Sequence, residues 1–158
     1  VIEIGCNNGL YCFAASKTAD SVIGLDYDIL SINAANNINN TLNRSCTFVC
    51  ADLFNSDRLN VKYGKNGSYD NMINRFKSEM LIAPAVMHHL YNNCKSLDRI
   101  ISIFNSFCTK YMVIEHIPGI YDENKFKSIL IKYNWTIVKV VKSSPSPRMI
   151  YICEKLTV

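Results

Sequence analysis

An α/β protein built on a doubly wound, mostly parallel sheet is what this sequence predicts, on three observations. Short apolar, β-branched runs alternate with helical patterns along most of the 158 residues. The first run leads into a glycine-rich turn, Glu3-Ile4-Gly5-Cys6-Asn7-Asn8-Gly9. A second run ends in Gly24-Leu25-Asp26, which places an acid about twenty positions after that turn.

Taken in order, a strand is expected at Val1 to Ile4 and a helix from Leu10 to Lys17. A second strand covers Val22 to Asp26, a helix Ile29 to Asn39, and a third strand Thr47 to Cys50, leading into Ala51-Asp52-Leu53. The segment from Asn55 to Ser78 is polar and rich in Asn, Lys and Gly, and reads as a flexible loop with one short helix. The fourth strand, Met80 to Ala83, is stopped by Pro84, which has no N–H to give a ladder.

Leu97, Ile100, Ile101, Phe104 and Phe107 recur at helical spacing, and Ser96 and Asp98 suit a first turn, so a helix is expected from Ser96 to Cys108 with that stripe in the core. A strand at Tyr111 to Glu115, a break at Pro118-Gly119 and a helix from Glu123 to Lys132 follow. Two strands close the chain, Trp135 to Val141 and Met149 to Glu154. Their connector, Ser143-Ser144-Pro145-Ser146-Pro147, is too short for a crossover helix, so they are expected to pair antiparallel.

The length suits one core, and residues 1–158 are expected to form one domain. Residue 1 already lies in a strand, so the domain is expected to be N-terminally truncated. With 49% hydrophobic and 19% charged residues the composition is that of a folded globular chain, not a disordered one. The net charge of +4 is modest and scattered. Its densest group, Lys125, Lys127 and Lys132, reads as a solvated helix face rather than a nucleic-acid patch. Seven cysteines, an odd number without C-x-x-C spacing, argue against a disulfide framework and a structural zinc site, and suit a reducing cytoplasm. No apolar run reaches the length of a membrane span, so no membrane partner is expected.

A dinucleotide site would read G-x-G-x-x-G, whereas this turn reads E-x-G-x-x-x-G, with Asn7 between Gly5 and Gly9. That pattern brings a single nucleoside close, with no second glycine turn for a pyrophosphate. Asp26 and Asp52 follow the second and third strands, at the carboxyl edge where open α/β sheets bind ligands; as a bland alternative either is a helix N-cap.

With these residues the chain resembles the class I S-adenosylmethionine-dependent methyltransferases over nearly its whole length. Val1 to Gly9 is similar to that family's first motif, Gly24-Leu25-Asp26-Tyr27-Asp28 to its acidic second-strand end, Ala51-Asp52-Leu53 to its adenine-flanking motif, and Ala85-Val86-Met87-His88-His89-Leu90 to its fourth-strand exit. The stretch from Met80 to Leu90 and the ending Ser144 to Arg148 through Cys153-Glu154-Lys155 look most like a nodulation-type branch. The resemblance implies a Rossmann-like, seven-stranded sheet finished by a reversed hairpin, and S-adenosylmethionine as cofactor. It implies that Gly5, Cys6, Asn7 and Gly9 lie against the methionine portion, that Glu3 belongs with them among the cofactor-binding residues, and that Asp26 takes the ribose hydroxyls. Tyr27 and Leu53 would flank the adenine, Asp52 would accept from its amine, and Ala83 would line the site from the fourth strand. Asn7 stands where the commonest family pattern has glycine, and its side chain is expected to crowd the cofactor's carboxylate end.

Methyl transfer from a sulfonium needs alignment and exclusion of water, and a base only where the acceptor must lose a proton. His88 and His89 after the fourth strand are candidates for that base or for orienting the acceptor, and Glu115 with His116 at the fifth strand's end are further candidates. Packing and helix capping are the bland alternatives for all four. No third ligand has recognisable spacing to the histidine pair, so no metal is expected. Ala83-Pro84-Ala85-Val86 lacks the polar residue with which amino-directed methyltransferases hold a base's amine, so nucleic acid ranks low as acceptor. A small molecule or metabolite ranks first. Two other functions remain open: a non-catalytic cofactor-binding domain of a longer protein, and a nicotinamide-dependent Rossmann enzyme.

Overall fold

The structure, a computed structural model, describes residues 1–53, 69–142 and 147–156. The chain divides into two compact units, Val1–Ser78 and Glu79–Val158. Its strands make one seven-stranded mixed sheet in the order β3-β2-β1-β4-β5-β7-β6. Among the described residues no helix is long and apolar enough to cross a membrane.

The first unit alternates strand and helix: β1 (Ile2–Ile4), α1 (Leu10–Ala15), β2 (Ile23–Asp26), α2 (Ile29–Thr41), β3 (Thr47–Cys50) and α3 (Tyr69–Phe76). β1 and β2 pair parallel with Ile2 opposite Ile23, and β2 pairs parallel with β3 with Ile23 opposite Thr47. Both helical crossovers bury Cys12, Ile32 and Ala35 against Phe48, forming one apolar cluster under the strands. Asn39 closes the α2–β3 turn from both sides: its Nδ2 donates to the Cys46 carbonyl at 3.0 Å, and its Oδ1 accepts from the Cys46 N–H at 3.2 Å. The short helix expected before the fourth strand is α3; residues 55–68 of that expected loop lie outside the described residues.

The second unit carries the antiparallel closure: β4 (Ser78–Ala83, starting at the unit boundary), α4 (Met87–Cys94), α5 (Leu97–Phe107), β5 (Cys108–His116), α6 (Glu123–Lys132), β6 (Trp135–Lys142) and β7 (Met149–Lys155). β7 pairs antiparallel with β5 (Ile114 opposite Tyr151) and with β6 (Val140 opposite Tyr151). The hairpin expected from the short connector is therefore present, although residues 143–146 of the connector lie outside the described residues. Ser96 caps α5 by accepting from the Arg99 N–H at 3.2 Å, and the predicted stripe from Leu97 to Phe107 is buried. β5 begins at Cys108, three residues earlier than predicted. β6 is the last strand of the sheet; Val138, Val140 and Val141 are exposed along it, and its register shifts between Ile137 and Lys139.

Candidate functional site

In the first unit the glycine-rich turn is tied to the end of β2 by three backbone donors. Gly5 and Cys6 donate to the Leu25 carbonyl at 2.8 and 3.0 Å, and the Asn7 N–H donates to Asp26 Oδ2 at 2.8 Å. The other carboxylate oxygen of Asp26 accepts from the Asp28 N–H at 2.9 Å. Asp26 is not the cap of the following helix. Asp28 is, accepting from the N–H groups of Leu30 and Ser31 and from the Ser31 hydroxyl, which holds its carboxyl below the usual range. The carboxylate of Asp26 is thus anchored at the edge of β2 by one backbone N–H on each oxygen.

Asn7 lies in the left-handed region at φ +46°. Asparagine tolerates this conformation better than most residues with a side chain, because its short amide can bond locally. Here Oδ1 accepts from the N–H of Asn8 at 2.7 Å. The departure from glycine therefore keeps the turn's backbone shape, with the added amide folded onto the turn itself. Gly9 starts α1 at φ +85°, and a Cβ there would lie 2.7 Å from the Phe48 ring, so turn shape and packing both require glycine.

Glu3 points the other way, into the apolar layer. It is 1% exposed, and its Oε2 accepts from the Cys12 thiol at 2.9 Å. Burial pushes its carboxyl up to about 7. The Cys12 thiol is itself raised, first by its hydrogen bond with the Cys6 thiol and then by burial and the neighbouring Glu3. Cys6 is buried beside it, Leu53 is buried after β3, and Asp52 between them in chain order is half-buried. Tyr27 is 77% exposed.

In the second unit β4 delivers the chain to a sharp corner. Ala83 is fully buried, Pro84 follows, and Ala85 adopts a left-handed conformation at φ +56°, a strained state for a residue with a side chain. The corner feeds α4, whose first turn carries both histidines with rings 4.0 Å apart. His89 is exposed, while His88 is half-buried with its Nδ1 3.9 Å from Glu115 Oε2. Burial pushes the imidazole of His88 down, helped by His89 and Arg148 and opposed by Glu115.

Glu115 is 3% exposed, and both its carboxylate oxygens lie 3.1 Å from Arg148 Nη1. The Tyr121 hydroxyl donates to its backbone carbonyl at 2.8 Å. The structure so brings together His88, His89, Glu115 and Arg148. His116, expected to face the same edge, is instead sealed in the core: Nε2 meets the Tyr121 carbonyl at 3.2 Å, and the ring packs on Tyr121, Phe126 and Tyr151. Pairing of β7 beside β5, with Met149 opposite His116, closes that end of the strand. Among the described residues no group of three His, Cys, Asp or Glu side chains is placed to hold a metal.

Sequence reasoning missed Arg148 as a site residue and Cys12 as the partner of Glu3. Arg148 had a readable signal: it stands one residue before a strand that must return along β5, and a strand-end acid needs a cation. Cys12 had none beyond its helical position.

No protein-family model and no curated protein matches the chain. Solved structures do. A magnesium protoporphyrin IX methyltransferase from Synechocystis with bound SAM matches with a TM-score of 0.75 at 16% identity, over 98% of this chain and 69% of that one. A SAM-dependent methyltransferase from Clostridium acetobutylicum matches with a TM-score of 0.71 at 9% identity, over 99% and 83%. One from Aquifex aeolicus matches with a TM-score of 0.70 at 13% identity, over 98% and 81%. The seven-stranded sheet and its reversed C-terminal hairpin are accordingly those of the Rossmann-like, class I methyltransferase fold.

Proposed function

We propose that this chain is an S-adenosylmethionine-dependent methyltransferase acting on a small molecule or metabolite. The observation that carries the reading is Asp26, fixed by the glycine-rich turn and by Asp28, and not used as a helix cap. Two hydroxyls of a ribose are donors, and a carboxylate with free lone pairs is the acceptor they need, so the donor set fits an adenosine. The Synechocystis methyltransferase of the same fold has been solved with bound SAM and with bound SAH, which supports the same cofactor here.

On this reading Gly5, Cys6, Asn7 and Gly9 shape the turn beside the methionine portion, with Glu3 and Cys12 supporting it from below. Tyr27, Asp52, Leu53 and Ala83 complete the cofactor residues, and His88, His89 and Glu115 serve the acceptor. When bound, the cofactor supplies an activated methyl group; the chain's task is to align the acceptor and exclude water. We place the whole as one methyltransferase domain, of the nodulation-type branch suggested by Met80 to Leu90, working in the cytoplasm. Seven cysteines, none paired in a disulfide, are in keeping with that compartment.

Calorimetric titration with S-adenosylmethionine, its demethylated product and NAD tests the cofactor. Binding of the first two and not the third is expected, and the reverse pattern would establish a nicotinamide enzyme. Repeated turnover of a tritiated methyl group onto any member of a metabolite panel separates an enzyme from a cofactor-binding scaffold.

A further inference from the structure

The buried carboxylate of Glu115 has a charged partner, a neighbouring base and a fixed backbone. Arg148 balances its charge through both oxygens, and Tyr121 holds its carbonyl. The nearest ring nitrogen of His88 is Nδ1, 3.9 Å from Oε2, and Nδ1 is buried with no hydrogen-bond partner among the described residues. The side chain of His88 still keeps 17% of its surface, and that surface belongs to side-chain atoms other than Nδ1, which is enclosed.

A neutral imidazole carries one N–H and one lone pair. A lone pair on Nδ1 would face a carboxylate, whereas an N–H there would point at it, so the charge of Glu115 selects the Nδ1–H form. The lone pair then sits on Nε2. We propose that Glu115, clamped by Arg148, is a positioning residue that presents His88 Nε2 as the proton acceptor for a phenolic or enolic hydroxyl undergoing methylation. This inference rests on the methyl-transfer reading above.

The proton balance follows simply. The hydroxyl proton passes to Nε2 while the oxygen's electron pair forms the new O–CH3 bond, and the bond from that carbon to the sulfonium sulfur breaks with its pair left on sulfur. The imidazolium, facing Glu115, afterwards releases its proton to solvent. The charged and titratable groups acting on His88 are His89 beside it on α4, Glu115 from β5 and Arg148 just before β7. Burial, His89 and Arg148 outweigh Glu115 and push the imidazole down, which favours the neutral ring, a weak base suited to an acidic hydroxyl rather than an aliphatic alcohol. A carboxylate acceptor would need no base at all.

Nitrogen-15 NMR of the histidine-labelled chain reads the tautomer without any substrate, with the His88→Asn spectrum assigning the signal. At pH 8 the Nδ1–H form is expected for His88, shifting toward the Nε2–H form in Glu115→Gln. An Nε2–H form in the wild-type chain overturns the positioning role, whatever the enzyme does. Transfer from tritiated S-adenosylmethionine is then measured on catechol, an aliphatic alcohol, a carboxylic acid and a primary amine. Turnover of the phenol alone is expected, with kcat lowered about 100-fold in Glu115→Gln, and the acidic limb of the profile moved to lower pH because the neighbour that favours protonation is gone. Turnover of the amine or acid alone, or of none, overturns the acceptor class. Calorimetric binding of S-adenosylmethionine to the same sample tells that failure from failure of the methyl-transfer reading.

Discussion

The backbone N–H of Asn7 donates to Oδ2 of Asp26 at 2.8 Å, so the turn after β1 and the acid at the end of β2 hold each other in place. Asp26→Ala removes both the carboxylate and the acceptor for two backbone N–H groups. Cofactor binding is expected to weaken by about 1–3 kcal/mol, roughly 5- to 150-fold in Kd by calorimetry. Asp26→Asn keeps a carbonyl for the turn but loses the charge, and is expected to fall between the two.

Glu3 makes the stability of the chain depend on pH in an unusual direction. Its carboxyl titrates near 4.5 in an unfolded chain and is pushed by burial up to about 7 in the fold, so the folded state holds a proton that the unfolded state has released. Its contribution is full below pH 4.5 and is lost as pH rises through 7. The loss amounts to about 3 kcal/mol. Urea unfolding of wild type and Glu3→Gln across pH 4 to 8 should show the wild type losing stability relative to the variant by that order. Parallel curves would mean that Glu3 stays ionised.

Gly24 lies in β2 where a Cβ would sit 2.7 Å from Phe48 Cδ1 and 2.9 Å from the sulfurs of both Cys6 and Cys12. All three neighbours are buried and packed. Gly24→Ala is expected to lower the unfolding free energy by about 1–3 kcal/mol, read as a shift of the urea midpoint with unchanged slope.

At Ala85 the left-handed backbone costs a residue with a Cβ roughly 1–2 kcal/mol, while glycine adds about 0.5–1 kcal/mol of freedom to the unfolded chain. Ala85→Gly is therefore expected to raise stability by up to about 1 kcal/mol, and Ala85→Val, which is β-branched, to lower it. Thermal unfolding of the pair checks the sign.

The parts of this chain that were readable in advance are those set by neighbours in sequence. Each strand carries its own apolar run, α5 announces itself through Ser96 and a full stripe of large side chains, and the short connector before β7 dictates an antiparallel return. α4 was not read as a helix because it is eight residues long, Val86 before it offers no side-chain cap, and its histidines and asparagines carry little helical preference. The burial of Glu3 against Cys12 and the ion pair of Glu115 with Arg148, 33 positions apart, depend on which faces meet after folding. His116 shows the same limit from the other side: its position at a strand end suggested exposure, and the strand that covers it arrives only with β7.

β6 runs along the rim of the sheet with three valines bared, a profile that invites other chains to add on. Lys139 and Lys142 stand among those valines, and the ladder slips at Ile137. Two ammonium groups and an irregular template make a poor seed for fibres. Concentrated samples of the wild-type chain should accordingly stay clear on storage, whereas replacing both lysines with threonine would leave a sticky ribbon prone to polymerise.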